Sequence, residues 1–407
     1  MLDGVEVEWK AVGDIAGYST TKVDADKLDA TSFVGVDNLL ADKGGRIDAT
    51  YQPNTARLTA YEPGDILLGN IRPYLKKVWM AENNGGCSGD VLAIRILADC
   101  KKIISPEYLY YALSSDSFFS YSMQHAKGAK MPRGSKDAIL NYQIPIPCPS
   151  APGKSLAIQS EIVRILDKFT ALTAELTAEL NMRKKQYNYY RDQLLSFKEG
   201  EVEWKTLGEI GNFTYGYAAK AMDSGDARFV RITDINKDGK LSKENPMYVE
   251  LNEENEKYTL DKNDLLMART GATFGKTMIF EEDYPAVYAG FLIKLNLNET
   301  IINAKYYWHF AQSDFFWEQA NKLVSGGGQP QFNANALKQV RVPIPYPSHP
   351  QKSLDEQGRI VDILDKFDAI AASITEGLPR EIELRQKQYE YYRDLLFSFP
   401  KPETVSN

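Results

Sequence analysis

The stretch EIVRILDKFTAL, residues 161–172, decides the fold because it returns as RIVDILDKFDAI at residues 359–370. The same order of matches extends to both sides of it. GVEVEWKAVGDI (4–15) corresponds to EGEVEWKTLGEI (199–210), IPIPCPS (144–150) to VPIPYPS (342–348), and KKQYNYYRDQLLSF (184–197) to RQKQYEYYRDLLFSF (385–399). Collinear matches over so much of the chain indicate a tandem duplication. The sequence therefore predicts two copies of one unit, each a globular part followed by a helical segment.

The segment after each proline motif has the period of a long helix. Spacings of four and three residues alternate along a mostly apolar stripe: Ile162, Leu166, Phe169, Thr173, Leu176, Leu180, Arg183, Tyr187, Tyr190 and Leu194. This heptad period predicts a coiled-coil helix, and the stretch from Ile158 to Phe197 would be roughly 60 Å long. The second copy repeats the stripe with an insertion: Ile360, Leu364, Phe367, Ala371, Ile374, Leu378, Ile382, Arg385, Tyr389, Tyr392 and Leu396. The insertion predicts a kink or break at Gly377 and Pro379.

Two helices that each carry an apolar stripe can cover their stripes by packing on each other. An antiparallel pair would take the chain from the first globular domain to the second and back. We therefore expect an α+β fold in which two tandem mixed α/β domains are separated by two long antiparallel coiled-coil helices, with pseudo-twofold symmetry. The expected boundaries are 1–150 and 199–350 for the domains, and 151–198 and 351–407 for the helices. The alternative is two unrelated bundles, each covering its own domain.

The globular parts have the pattern of short strands and turns. Apolar β-type runs lie at 34–36, 66–68, 91–94, 229–232 and 291–295, and they predict strands. An amphipathic helix is predicted at 106–125 and again at 304–323. The Pro-x-Pro steps at 145–149 and 343–347 predict extended chain, because proline there disfavours helix.

Composition and charge exclude several classes of protein. A formal net charge of −7 gives little general attraction for nucleic acid, although it does not exclude local basic patches. No apolar run approaches the ~18 residues of a membrane span, so no membrane partner is expected. MLDGVEVEWK at the N-terminus lacks the features of a secretory signal. Cys87, Cys100 and Cys148 lack C-x-x-C spacing, and we expect reduced thiols in a cytoplasmic protein.

The sequence also lacks the motifs of the common catalytic sites. His125, His309 and His349 have no neighbour at metal-ligand spacing, so neither a metal site nor a His-based triad is expected. The stretch 245–248, NPMY, lacks the second proline of an N-P-P-Y methyltransferase motif. No G-x-G-x-x-G follows a predicted strand. We expect a protein without catalytic residues, metal or cofactor.

Two variable globular halves alternating with two near-identical helices resemble a known family. Each helix is entered through I-P-x-P and then IQSEIVRILDKF (158–169) or EQGRIVDILDKF (356–367). This arrangement is similar to the specificity subunit of type I restriction–modification systems, and the resemblance covers essentially the whole chain. One departure is Ile158-Gln159, where the family pattern has the Glu-Gln that Glu356-Gln357 keeps.

The resemblance implies a function for each part. In this family each globular half is a target-recognition domain that recognises one part of a split DNA sequence. The helices set the distance between the parts and dock two modification (methyltransferase) subunits, and the complex also holds restriction (helicase–nuclease) subunits. The resemblance therefore implies double-stranded DNA and these subunits as partners, and a non-enzymatic role for this chain.

A glycine-punctuated loop in each copy is a candidate DNA contact. HAKGAKMPRGSK (125–136) contains Lys127, Lys130, Arg133 and Lys136 and no acid. Its counterpart LVSGGGQPQFNAN (323–335) contains Gln329, Gln331, Asn333 and Asn335 instead. Arg and Lys favour phosphates and guanine, whereas Gln and Asn favour adenine. Different polar chemistry at one location is what two different half-sites require, although plain solvated loops are the alternative.

A second candidate is the stretch MARTGATFGKT (267–277), which is similar to a nucleotide-binding P-loop. Gly271 and Gly275 enclose only three residues, where a P-loop needs four. The first copy has NIRPYLKKV (70–78) there, without that glycine pattern. We interpret both as equivalent loops after a strand, with cations available for phosphate: Arg72, Lys76, Lys77, Arg269 and Lys276. A basic surface hairpin is the alternative. YSTTK (18–22) and YGYAAK (215–220) are weaker candidates.

Two other functions remain open at the level of sequence. The chain could be an adaptor whose coiled-coil rod spaces two protein-binding modules and binds no DNA. It could also be a specificity half that has lost a fused methyltransferase. Binding to DNA through several phosphates would weaken steeply with salt, which distinguishes DNA recognition from the adaptor.

Overall fold

The structure is a computed structural model that describes residues 6–198, 200–371 and 377–400. The first copy begins with a mixed α/β domain and ends in one long helix. Its elements in chain order are β1 (Val7–Ala11), α1 (Val12–Ile15), β2 (Ala16–Tyr18), β3 (Lys22–Asp24), β4 (Phe33–Val34), β5 (Arg57–Tyr61), β6 (Ile66–Gly69), β7 (Val78–Met80), β8 (Gly85–Cys87), β9 (Val91–Ile96), α2 (Pro106–Leu113), α3 (Asp116–Gln124), α4 (Lys136–Asn141), β10 (Gln143–Pro147) and α5 (Pro152–Leu194).

The second copy repeats this plan and ends in two described helices. Its elements are β11 (Val202–Thr206), α6 (Leu207–Ile210), β12 (Gly211–Tyr215), β13 (Ala227–Val230), β14 (Tyr248–Val249), β15 (Leu265–Ala268), β16 (Thr277–Ile279), β17 (Ala286–Tyr288), β18 (Leu292–Leu297), α7 (Ala304–Phe310), α8 (Asp314–Leu323), α9 (Ala334–Leu337), β19 (Arg341–Pro345), α10 (Pro350–Ala371) and α11 (Gly377–Phe397). The duplication therefore holds at the level of the fold.

Each domain is built on a four-stranded antiparallel sheet, in the order β2-β9-β6-β7 in the first copy and β12-β18-β15-β16 in the second. A further sheet packs beside it, β3-β5-β8-β4 or β14-β13-β17. The predicted strands are present with shifted ends, and the one predicted at 34–36 is reduced to β4. The proline steps form the extended chain that was predicted: β10 pairs with β1, Trp9 opposite Pro145, and β19 pairs with β11, Trp204 opposite Pro343.

The single helix predicted at 106–125, and again at 304–323, is wrong, because two helices lie there in each copy. The first helix ends at Leu113 or Phe310, and a serine shortly after that end caps the second helix. Ser115 Oγ accepts a hydrogen bond from Phe118 N at 3.1 Å, and Ser313 Oγ accepts one from Phe316 N at 3.3 Å. Such caps satisfy amide groups that a helix start leaves unpaired. The apolar period continues through the serine, which is why the pattern alone suggested one helix.

The chain divides into two compact units. Unit 1 contains the described residues up to Ala174 together with those from Leu384 onward, and unit 2 runs from Glu175 to Glu383. The core of unit 1 combines sheet residues with Ile162 and Leu166 of α5 and with Phe399. The core of unit 2 includes Tyr187 of α5 and Leu364 of α10. Each domain thus buries parts of two helices that are far apart in sequence.

Most positions of the apolar stripe of α5 are covered by protein. In α5 every stripe position except Tyr190 is buried or half-buried. Within unit 1, the ring of Phe169 stacks on Tyr392 at 5.4 Å, and within unit 2 Tyr190 stacks on Phe367 at 5.3 Å. The break predicted near Gly377 and Pro379 borders residues 372–376, which lie outside the described residues and include stripe position Ile374. The break therefore stays a prediction. No helix in the described ranges has both the length and the hydropathy that a bilayer crossing requires.

Candidate nucleic-acid interface

Unit 1 brings together two of the loops that the sequence singled out. We call residues 70–77, after β6, the strand loop and residues 125–136, after α3, the glycine loop. A β-bridge joins them between Ile71 and Arg133. The backbone N–H of Arg72 donates to Pro132 O at 2.7 Å, and that of Gly134 donates to Asn70 O at 3.0 Å. Residues far apart in the sequence therefore form one surface.

The glycine loop of unit 1 is a closed turn that presents its cations to solvent. Lys127 and Arg133 exchange backbone hydrogen bonds of 2.9 and 2.8 Å, and the turn between them needs Gly128, whose φ is +101°. Lys127, Lys130, Arg133 and Lys136 are all exposed. Arg133 Nη1 pairs with Asp90 Oδ1 at 3.0 Å, and this acid was not identified from the sequence. Its pairing can orient the guanidinium.

Unit 2 repeats this geometry with different side chains. Its strand loop (269–276) and glycine loop (323–335) are joined by a bridge between Thr270 and Gln331. The N–H of Gly271 donates to Pro330 O at 2.9 Å, and the N–H of Phe332 donates to Arg269 O at 2.7 Å. The closing turn again has a glycine with positive φ, Gly326 at +88°. The two copies share one backbone surface on which the polar side chains differ.

A tyrosine at the end of β2 and of β12 completes this surface. Tyr18 OH donates to Lys136 O at 2.8 Å, and Tyr215 OH accepts from Ala334 N at 3.1 Å. Burial, with a smaller effect of Asp137, raises the pKa of Tyr18, so its hydroxyl stays protonated and can donate. The stretches YSTTK and YGYAAK, weaker candidates in the sequence, thus start at the loop pair.

Arg269 lies in an aromatic clamp beside the loop pair of unit 2. Its guanidinium carbon is 5.2 Å from the ring centre of Tyr215 and 5.4 Å from that of Phe291, within the range of cation–π attraction. Its Nε donates to Gly290 O at 3.1 Å. Phe291 was missed by the sequence reasoning as a site residue, because its contact with Arg269 crosses between neighbouring strands and leaves no periodic signal.

The four amides predicted in unit 2 differ in how available they are. Gln331 Nε2 donates to Thr270 Oγ1 at 2.8 Å. Asn333 Oδ1 accepts from Ala336 N at 3.0 Å and caps α9. Gln329 and Asn335 are exposed. Gln331 and Asn333 therefore have structural roles at the loop pair, although Asn333 is exposed like Gln329 and Asn335.

Three of the predicted cations in the strand loops lie apart from the exposed surface. Lys76 Nζ pairs with Asp116 Oδ1 at 2.7 Å, and Lys77 Nζ donates to Val36 O at 2.7 Å. Lys276 is half-buried and lines a cavity of about 460 Å³ together with Arg191 and Trp317. Arg72, by contrast, is exposed.

The loop at 269–276 differs from a P-loop in the element that comes after it. Strand β16 begins at Thr277, directly after Lys276, whereas a P-loop leads into a helix whose N-terminal amides hold phosphate. Among the described residues no group of His, Cys, Asp and Glu side chains is arranged to hold a metal ion.

Comparison with known proteins matches both copies to one family. The model of the type I restriction modification DNA specificity domain matches residues 63–183 and again 199–384. The specificity subunit of the type I restriction enzyme EcoR124I/EcoR124II from Escherichia coli is 40% identical over 435 residues, which cover 100% of this chain and 98% of that protein. A putative type I restriction enzyme specificity subunit from Haemophilus influenzae is 30% identical, over 98% of this chain and 97% of that protein.

Solved structures show the same fold. The crystal structure of a type I restriction–modification S subunit from M. genitalium aligns with a TM-score of 0.55 over 98% of both chains, at 15% identity. The repeated match defines a protein with two tandem DNA specificity domains. The chain belongs to the family of type I restriction–modification specificity subunits.

Proposed function

We propose that each domain recognises one part of a split double-stranded DNA sequence through its loop pair. The observation that supports this most directly is the shared bridge, Ile71 with Arg133 and Thr270 with Gln331, below side chains that differ between the copies. A common backbone surface with different polar chemistry suits two different half-sites. Cations would contact phosphates and guanine, and amides would contact adenine.

The predicted site residues have different roles in this proposal. Exposed Arg72, Lys127, Lys130, Arg133 and Lys136 contact DNA from unit 1. Arg269, Gln329 and Asn335 contact DNA from unit 2, while Gln331 and Asn333 shape the loop. Lys76, Lys77 and Lys276 need their present environment to change before they reach a phosphate. The chain carries a net charge of −7, so this local basic surface in unit 1 supplies attraction that the whole chain lacks.

The long helices are proposed to form an antiparallel coiled coil that sets the spacer between the half-sites. Phe169, near the start of the first helical segment, stacks on Tyr392, near the end of the second. Tyr190, near the end of the first, stacks on Phe367, near the start of the second. Pairing of early with late positions is what an antiparallel, pseudo-twofold arrangement requires. The proposed domain boundaries are 1–150, 151–198, 199–350 and 351–407.

The proposed role is recognition without catalysis. The chain would bind two modification subunits along its helices, and through them restriction subunits, because its relatives are subunits of type I restriction enzymes. A protein that recognises DNA works where the DNA lies, so a cytoplasmic location is part of the same proposal.

Replacement of two side chains in each glycine loop tests the assignment of one half-site to each unit. The first variant replaces Lys127 and Lys130 by alanine, and the second replaces Gln329 and Asn335. All four side chains are exposed, so folding should be unaffected. We expect methylation-site mapping of the complex with its modification subunits to show relaxed preference in one half for the first variant, and in the other half for the second.

Two matched measurements complete this test. The salt dependence of DNA binding should become shallower in the lysine variant, by a slope of up to about 2 for two lost phosphate contacts, and stay unchanged in the amide variant. Mapping in which each variant affects both halves equally, or neither, would contradict the proposal.

A further inference from the structure

The side chain of Arg269 is oriented by contacts within its own unit. The rings of Tyr215 and Phe291 lie near its guanidinium, and Gly290 O accepts from its Nε. Both rings reach the surface, with Tyr215 44% and Phe291 57% exposed. An arginine fixed in this way loses little side-chain freedom when it makes further hydrogen bonds.

The terminal nitrogens of Arg269 are left as donors. The Nε–H is used by Gly290 O, and in the described part of the chain no carboxylate forms an ion pair with this guanidinium. Nη1 and Nη2 together present a planar pair of N–H groups. Such a pair matches O6 and N7 of guanine in the major groove, as well as two phosphate oxygens.

The surroundings of Arg269 favour the base over the phosphate. A phosphate stays hydrated and gains nothing from an exposed phenyl ring at its side. A base edge, in contrast, excludes water from such a ring when it approaches, which strengthens the hydrogen bonds beside it. Phe291 provides that ring.

We propose that Arg269 recognises one guanine in the half-site of unit 2, with Tyr215 and Phe291 as its positioning residues. The inference rests on the proposed function, since it names the base that one residue of that site selects. It changes the assignment made from sequence, where Arg269 was a candidate for phosphate.

Unit 1 cannot make this contact with the equivalent residue. Asn70 occupies the position of Arg269, since its carbonyl accepts from Gly134 as that of Arg269 accepts from Phe332. Asn70 is only 8% exposed, and its Oδ1 is buried without a hydrogen-bond partner among the described residues. A guanine contact from this position of the strand loop is therefore made by unit 2 and not by unit 1.

The test compares Arg269→Lys and Arg269→Ala in the full chain assembled with its modification subunits. Binding is measured to duplexes that carry the recognised sequence and every single base-pair change in it. The wild type should prefer one G·C pair in the second half by roughly 5- to 150-fold, the range for one bidentate base contact. Arg269→Ala should bind all four pairs at that position equally, and Arg269→Lys should lose most of the preference although it keeps the charge.

Two comparisons keep this result independent of folding. The preference within the first half-site should be unchanged in both variants, which shows that the complex is intact. Lys322→Ala removes an exposed positive charge from the same unit, and it should leave the preference at every base pair unchanged. Phe291→Leu should weaken the preference at the same G·C pair and at no other.

The outcomes that would overturn the inference are specific. If both arginine variants weaken binding to all duplexes alike and keep every preference, Arg269 contacts phosphate. If the lost preference lies at an A·T pair or in the first half-site, the assignment is also wrong. A wild-type complex without a two-part preference would instead refute the proposed function, and this inference with it.

Discussion

Gln159 in unit 1 and Gln357 in unit 2 are both fully buried and make the same hydrogen bonds at the start of their helices. Gln159 Nε2 donates to Ile103 O at 2.7 Å and its Oε1 accepts from Ser105 N at 3.0 Å. Gln357 Nε2 donates to Ile301 O at 3.0 Å and its Oε1 accepts from Asn303 N at 2.8 Å. Further along each domain the chemistry diverges, at Tyr111 in one unit and His309 in the other.

The contact between domain and helix is short and direct in unit 1. Tyr111 OH donates to Asp167 Oδ1 of α5 at 2.5 Å. In unit 2 the equivalent His309 is fully buried, its Nδ1 lies 2.8 Å from Tyr187 OH, and its Nε2 lies 2.8 Å from Asp365 Oδ1. Lys240, Glu281, Lys305 and Asp368 form ion pairs around this site. The contact of Tyr111 with α5 in unit 1 corresponds to a charged network in unit 2.

A second position shows the opposite distribution of charge. Asp116 of unit 1 pairs with Lys43, Lys76 and the fully buried Arg393. Burial alone would raise the pKa of Asp116, but these cations outweigh it and hold the pKa at about 2. Its counterpart Asp314 is exposed. Arg191 pairs with its neighbour Asp192, as Arg393 does with Asp394, but Arg393 has Asp116 as a further partner. Where each domain meets its helix, the two units therefore share the hydrogen bonds from a glutamine side chain to the backbone. The contacts between one side chain and another differ.

The largest effect is expected where the units are alike. Gln159→Leu and Gln357→Leu each leave backbone groups buried without partners, so each should lower the free energy of unfolding by about 2–4 kcal/mol. Amide hydrogen exchange, followed peptide by peptide, should show the loss in the unit that carries the change. Gln351→Leu, at an exposed glutamine of α10, should stay within about 0.5 kcal/mol. If one of the two glutamine variants kept the free energy of unfolding of the wild type, Gln159 and Gln357 would not be equivalent.

A smaller effect should separate the two aspartates. Asp116→Asn removes the carboxylate that Lys43, Lys76 and the buried Arg393 share, leaving Arg393 with Asp394 alone. We expect a loss of about 1.5–3 kcal/mol in unfolding free energy. Asp314→Asn should change it by no more than about 0.5 kcal/mol, because that side chain is exposed. Urea denaturation of both variants measures the difference. Equal losses would show that Asp116 is not distinguished by its partners.

The smallest effect is a pH dependence that only unit 2 should have. Burial lowers the pKa of His309, although the hydrogen bond and charge of Asp365 oppose this shift. Below the ordinary pKa of 6.5, the imidazole is therefore protonated in the unfolded chain but stays neutral in the folded chain. Folding stability should therefore fall as pH drops through that value, by up to about 1.4 kcal/mol per pH unit. His309→Tyr, which copies Tyr111, should remove this contribution.

The control for this pH dependence takes account of a second group. The pKa of Asp368 is raised to about 6, chiefly by burial, so its protonation stabilises the folded chain as pH falls and acts against the histidine. That contribution is present in both proteins, so the difference between wild type and variant isolates His309. Tyr111→Phe should leave the pH dependence of urea denaturation unchanged over this range. Identical pH profiles for the wild type and His309→Tyr would contradict the proposed origin.

Much of the fold was predictable from the sequence because its signals are local or repeated. The duplicated stretches gave the two copies, and the heptad stripe gave α5, in which Ile162 and Leu166 are fully buried. The proline steps gave β10 and β19. The error at 106–125 has a local cause as well, since the cap at Ser115 interrupts a helix whose apolar period continues.

The candidate site was predictable only in parts. Both loops and both tyrosine stretches were identified one at a time, but the bridge between Ile71 and Arg133 was not. The sequence also did not predict the ion pair of Lys76 with Asp116 or the hydrogen bond from Lys77 to Val36 O. A list of cations in a sequence does not say which of them already have partners.

The sequence by itself determined that this protein is a duplication of a domain and a helix, and which residue types each loop offers. Periodicity and repetition depend on neighbours along the chain, so one sequence is enough to reveal them. Only the tertiary structure decided that the strand loop meets the glycine loop, and that Arg269 lies between Tyr215 and Phe291. Those contacts join residues from separate strands and loops, and their energies exist only after the sheet has brought the segments together.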